Sequence, residues 1–230
     1  MHQVVMMSWL DHEHIFFTAL GYDLSYLEFL GWLTGLMAVW LSARAQVWSW
    51  PLGLLNVTLS FFLFYQVRLY PDMFLQVFFF ITNIIGWWRW THPRPPEEDT
   101  RHQLRISRLK PRDGWMVIGT TALGTVLLGL IAHQLHDWLP DIFTQPSASP
   151  FVDSFITVLS VVATFYMIQK KVECWLMWIA VDVVATCLYF VRDIKLYSLL
   201  YFAFCFMAAY GFVTWRQEMK RYRQPNPFLP

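Results

Sequence analysis

Residues 48–66 read WSWPLGLLNVTLSFFLFYQ, a stretch without a single charge. As a helix it has the length that crosses about 30 Å of hydrocarbon at ~1.5 Å per residue. Two tryptophans open it, and one polar residue, Asn56, lies about two turns in. Residues 175–182, WLMWIAVD, repeat the order: two tryptophans, an apolar run, then a lone polar group, Asp182. A chain that twice places a Trp pair ahead of one polar residue in a membrane-length segment invites a reading as a membrane protein with an internal repeat.

Composition agrees. The 230 residues are 57% hydrophobic, 19% aromatic and 14% charged, against about 25% charged in soluble domains. The charges are bunched between apolar stretches. The class this implies is an all-α polytopic membrane protein. The apolar stretches predict seven transmembrane helices, over 25–43, 48–66, 72–90, 115–135, 151–169, 175–191 and 197–215. Residues 7–20 read as a short interfacial helix within an N-terminal segment, 1–24, and the first residues lack the pattern of a cleavable leader. Residues 91–114 read as a solvated linker, and 217–230 as a tail.

A net charge of +1 provides no basic field for nucleic acid. Cys174, Cys187 and Cys205 have no zinc-ligand or disulfide spacing and read as small core hydrophobes. No phosphate loop, nucleophile elbow or metal motif is present, so no cofactor and no enzymatic activity are expected.

Direction follows from Lys and Arg. One set of loops and the C-terminus carry 14 of them, the other set 3 (Arg68, Arg192 and Lys195). The N-terminus is thus expected outside and the C-terminus in the cytoplasm, which requires an odd number of spans.

A shift of 127 residues aligns 44–89 with 171–216 without a gap. Trp48 then meets Trp175, Arg68-Leu69-Tyr70 meets Lys195-Leu196-Tyr197, and Trp88-Arg89 meets Trp215-Arg216. The expected layout is 3+1+3: a three-helix bundle over 25–90, a connector helix over 115–135, and a second bundle over 151–216. One connecting span makes the two bundles parallel, a transporter architecture with its site near the midplane.

Polar groups within spans mark that site, because each is costly in hydrocarbon unless paired or facing a cavity. Trp175, Trp178 and Asp182 share one helix face by their spacing of 3 and 4. Gln76, Phe80 and Asn83 form a stripe on the third span. Asn56 falls within one residue of the position matching Asp182, and Asn83 matches Tyr210. Trp50 belongs to the first Trp-led segment. Aromatic faces stack on flat rings and attract cations, amides read amides and hydroxyls, and one carboxylate offsets one positive charge. The expected ligand is flat, bears amide or hydroxyl groups, and is neutral or cationic. A phosphate is not expected, since no buried Arg or Lys awaits one.

WPLGLLN at 50–56, LYPDMFLQVFFFITNIIGWWRW at 69–90 and WLMWIAVDVV at 175–184 resemble the PnuC family of nicotinamide riboside transporters. The resemblance covers about residues 25–217. It implies a fold similar to that of the SWEET sugar facilitators, residence in a bacterial inner membrane, and facilitated diffusion of nicotinamide riboside trapped by a cytoplasmic riboside kinase. It carries the WxxW pair of the family onto Trp175 and Trp178, and the polar stripe onto Gln76 and Asn83. A homo-oligomer is compatible with it. Related carriers take thiamine or other vitamins, so another vitamin or a sugar is the alternative cargo. A seven-helix receptor would need a signalling surface, and a lipid-directed enzyme would need a nucleophile–base pair; neither is visible.

Overall fold

A computed structural model describes residues 15–19, 22–66, 70–138 and 148–221. Among them are seven α-helices: α1 (Tyr26–Ala43), α2 (Ser49–Gln66), α3 (Tyr70–Thr91), α4 (Pro111–Trp138), α5 (Pro150–Ile168), α6 (Cys174–Val191) and α7 (Lys195–Arg221). Five of these, α1 and α4 to α7, are long and apolar enough to cross a membrane. The polar and aromatic residues that made α2 and α3 informative in the sequence also lower their hydropathy.

The chain divides into two compact units, Met1–Leu104 and Arg105–Pro230. In the first, α2 packs against both α1 and α3; in the second, α4 packs on α5, and α6 packs on α5 and α7. The outward faces of the helices are strongly apolar, with Trp115, Leu123 and Phe206 all more than half exposed. Apolar surface on this scale is stable against lipid, not water.

The two units repeat one local structure, and the repeat runs at 125 residues rather than 127. α2 and α6 start and end 125 apart, α1 and α5 end 125 apart, and α3 and α7 start 125 apart. The helix corners agree. α1 ends with Gln46 N–H donating to Leu41 O and Ala45 N–H to Ser42 O, both at 2.9 Å. α5 ends with Lys171 N–H on Tyr166 O and Lys170 N–H on Met167 O, again at 2.9 Å. This is a Schellman end, with its left-handed residue at Ala45 (φ 54°) and Lys170 (φ 55°). The sequence alignment at 127 was drawn to Trp and Arg-Leu-Tyr matches at span ends. The helix packing instead conserves Trp50 with Trp175, Gly86 with Gly211 and Trp90 with Trp215.

Three further expectations change. The helix expected over 7–20 is not formed where it is described: Ile15–Ala19 is a strand, β1, antiparallel to Tyr22–Ser25, β2, while residues 7–14 lie outside the described residues. Phe16 packs on Tyr26 and Phe29 of α1 at 4.8 and 4.7 Å between centroids, so the aromatic side chains serve a hairpin. Ser25 then caps α1 in a capping box with Glu28.

The 91–114 stretch is not a solvated linker throughout. A short 3-10 turn, Pro95–Glu97, follows α3, and Leu104 N–H donates to Trp90 O. Beyond it, Ser107 pairs with the α5–α6 corner: its N–H donates to Lys170 O, its O accepts from Val172 N–H, and its Oγ accepts from Lys171 Nζ at 2.9 Å. Leu109 N–H donates to Glu173 Oε2 at 2.7 Å. Leu104 and Ile106 are buried. Their alternation with Gln103, Arg105 and Ser107 was a strand-like period of two inside a polar run.

The cysteines divide. Cys174 is buried, Cys205 half-buried and Cys187 exposed, so only the first is a core residue.

Candidate functional site

In the second unit, Trp175 opens α6 and is wedged into α7. It is 1% exposed and meets Trp215 edge-on, 5.5 Å between centroids at 88°. Gly211 makes room for it: a Cβ there would lie 2.6 Å from the indole. The first unit repeats the joint with Trp50, Trp90 and Gly86, the rings 5.2 Å apart at 89°. The two Trp-led segments of the sequence therefore have a shared structural task, locking the middle helix of each unit to the next one.

Trp178 lies one turn further on. It is half-buried and packs beside a core of Leu159, Ala163, Met177 and Val181. The indole N–H groups of Trp50, Trp175 and Trp178 find no hydrogen-bond partner among the described residues. One more turn along, Asp182 is 5% exposed. No hydrogen bond or ion pair to its carboxylate is found among the described residues, and it is close enough to Tyr201 and Cys205 of α7 to act on both electrostatically. Thr186 Oγ1 donates to the Asp182 carbonyl at 2.7 Å, and Ser198 Oγ of α7 donates to the Thr186 carbonyl at 3.0 Å. Tyr210 is 42% exposed on α7.

In the first unit the polar residues bind helices together. Asn56 Nδ2 donates to Gly31 O at 2.6 Å and approaches Thr34 Oγ1 at 3.4 Å, tying α2 to α1. Thr34 itself donates to Leu30 O at 2.7 Å. Asn83 Nδ2 donates to Phe79 O of its own helix at 2.8 Å, and its side-chain oxygen sits directly against Gly53 of α2. Gln76 and Phe80 border a hollow of about 220 Å³ that Val57 and Phe61 of α2 also line. Asn56→Ala is expected to lower thermal stability in detergent by about 1 kcal/mol, the scale of an interhelical hydrogen bond; an unchanged unfolding temperature would remove this role.

The expected match of Asn83 with Tyr210 does not hold in the 125-residue register. At 125, Asn83 corresponds to Ala208 and Tyr210 to Ile85. Asp182 corresponds to Val57, still one residue from Asn56. The correct register also shows a trade: where the second unit has Trp178 and Ala208, the first has Gly53 and Asn83.

The expectation that no basic group is buried fails at Lys170, which is 1% exposed. It belongs to the α5–α6 corner, more than two helical turns before Asp182, rather than to the Trp178–Asp182 stripe. Among the described residues no group of three His, Cys, Asp or Glu side chains could hold a metal ion.

The sequence profile of the nicotinamide mononucleotide transporter family matches residues 25–217, from the start of α1 to near the end of α7. The chain belongs to that family. Similar proteins include the nicotinamide riboside transporter PnuC of Escherichia coli K12, 32% identical over 217 residues, covering 88% of this chain and 90% of that one. The riboflavin/roseoflavin transporter RibM of Streptomyces davaonensis is 24% identical, covering 95% of this chain and 97% of that one. A crystal structure of the vitamin B3 transporter PnuC matches with a TM-score of 0.64 at 24% identity, over 85% of this chain and 83% of that one. This member of the family thus has the polytopic helical fold of that structure. Sequence reasoning missed the pairing of Trp90 with Trp215 and of Gly86 with Gly211, whose signal was the 125-residue spacing.

Proposed function

We propose that the chain takes up nicotinamide riboside across a bacterial inner membrane by facilitated diffusion, with phosphorylation by a cytoplasmic kinase trapping the cargo. In this reading all seven helices span the membrane in a 3+1+3 arrangement, with bundles over 25–90 and 151–216 and a connector over 115–135. The N-terminus lies outside, and the Lys- and Arg-rich loops and the tail lie in the cytoplasm. Trp178, Asp182 and Tyr210, with Trp175 behind them, supply aromatic and anionic contacts. Gln76, Phe80 and Asn83, backed by Asn56 and Trp50, supply amide and apolar ones.

The observation that carries the cargo is the character of α6. An indole face and a buried carboxylate follow one another at helical spacing, and among the described residues the carboxylate has no hydrogen-bond or ion-pair partner. That set suits a flat, positively charged ring carrying an amide and a ribose. It does not suit a phosphate, which needs Arg, Lys or a helix N-terminus. The riboside named for the 32%-identical relative fits it; the mononucleotide in the family's name fits it poorly.

The test is titration calorimetry on the purified full-length protein with nicotinamide riboside, nicotinamide mononucleotide, thiamine and riboflavin. Riboside binding at about 1 μM, near −8 kcal/mol, is expected, with the mononucleotide weaker by about two orders of magnitude. Riboflavin is included because RibM covers nearly the whole chain. Binding of riboflavin or thiamine in place of the riboside would keep the fold and replace the cargo.

A further inference from the structure

We propose that Tyr201 joins Asp182 in reading the positive charge of the cargo's ring, an inference that rests on the riboside reading above. The 125-residue register carries it. The hollow in the first unit lies between Val57 and Phe61 of α2 and Gln76 and Phe80 of α3. The same four places in the second unit are Asp182 and Thr186 of α6, Tyr201 and Cys205 of α7. The locus that is uncharged in one unit therefore holds a carboxylate and a phenol in the other.

The local bonding leaves that carboxylate to act on something else. Thr186 is taken up by the Asp182 carbonyl, and Ser198 by the Thr186 carbonyl. Asp182 itself is buried with no partner to its carboxylate among the described residues. Tyr201 lies within electrostatic reach of Asp182, and its ring is stacked on Tyr189 at 5.3 Å and 16°. The stack fixes the plane of the Tyr201 ring. The Asp182 carboxyl beside this fixed aromatic face, held charged by a docked cation, attracts a delocalised positive ring through charge and through the ring quadrupole together. It gives no such advantage to an uncharged ring of the same shape. In the first unit Gln76 suits an amide or a hydroxyl, beside the apolar Val57.

The test compares nicotinamide riboside, whose pyridinium ring is cationic, with its 1,4-dihydro form, whose ring is neutral and whose ribose and amide are unchanged. Both are titrated calorimetrically into wild type, Asp182→Asn and Tyr201→Gln, with unfolding temperatures recorded. Glutamine is what the first unit carries at the place of Tyr201. In Asp182→Asn the affinity loss for the cationic form is expected to exceed the loss for the neutral form by about tenfold. Tyr201→Gln should show the same selectivity by about threefold. Equal losses for the two probes, or no loss for either, overturn the inference while wild-type riboside binding keeps the transporter reading. Wild type binding neither probe overturns that reading and the inference with it. If Tyr201→Gln does not fold, Tyr201→Leu, which keeps an apolar side chain and removes the aromatic face, decides by the same comparison of the two probes.

Discussion

Gly211→Ala is expected to destabilise the protein by about 1–3 kcal/mol, the usual cost of overpacking a filled contact. The added methyl would sit 2.6 Å from the Trp175 indole, a ring that cannot move aside because it is 1% exposed and held edge-on by Trp215. Gly86→Ala should do the same in the first unit, where Trp50 fills the equivalent space against Trp90. The control is Gly31→Ala on α1, where nothing lies within 4 Å of the new methyl; removing a mid-helix glycine there should be neutral or stabilising by roughly 0.5–1 kcal/mol. Thermal unfolding in detergent, followed by tryptophan fluorescence, separates the three. Combining Gly211→Ala with Trp175→Phe should recover part of the loss, because a smaller ring restores the space. Equal unfolding temperatures for Gly211→Ala and Gly31→Ala would show that the wedge does not hold α6 to α7.

That joint also explains how much the sequence disclosed. The helix extents were legible because an apolar stretch of membrane length has few other uses, and the expected bounds fall within a few residues of the observed ones at most ends. The repeat was legible in kind and misread in register. Tryptophans occur at positions 48, 50, 87, 88 and 90, as well as 175, 178 and 215, so several offsets align some of them. Only packing tells which Trp of a cluster enters a groove and which faces outward: Trp50 is 5% exposed, whereas Trp48 is 71% exposed. The glycines opposite would have decided it, since Gly86 and Gly211 share the offset of Trp50 and Trp175. The latch at Ser107 was hidden for a different reason. Two of its bonds join backbone groups of the α5–α6 corner and leave no trace in side-chain chemistry, and the third, from Lys171 Nζ to Ser107 Oγ, follows from that pairing.

Among the residues singled out from sequence, Trp178 has the largest expected effect on binding. Trp178→Ala should weaken riboside affinity by about 1–3 kcal/mol, the worth of an aromatic platform under a flat base, which is roughly a tenfold to hundredfold rise in Kd. Trp178→Phe, which keeps a face, should recover most of it. The fold should survive the truncation, because the first unit places Gly53 at the equivalent point of α2 and still forms its three-helix packing. Trp175→Ala is expected to behave in the opposite way. Its indole is the wedge against Gly211, so about 3–5 kcal/mol of stability is lost with it, and any affinity change follows from the damaged fold. Kd and unfolding temperature measured on the same two variants therefore separate a residue that touches cargo from one that holds the helix touching it. Trp178→Ala that melts early and binds normally would reverse the assignment, and would leave Asp182 without the aromatic face argued to stand beside it.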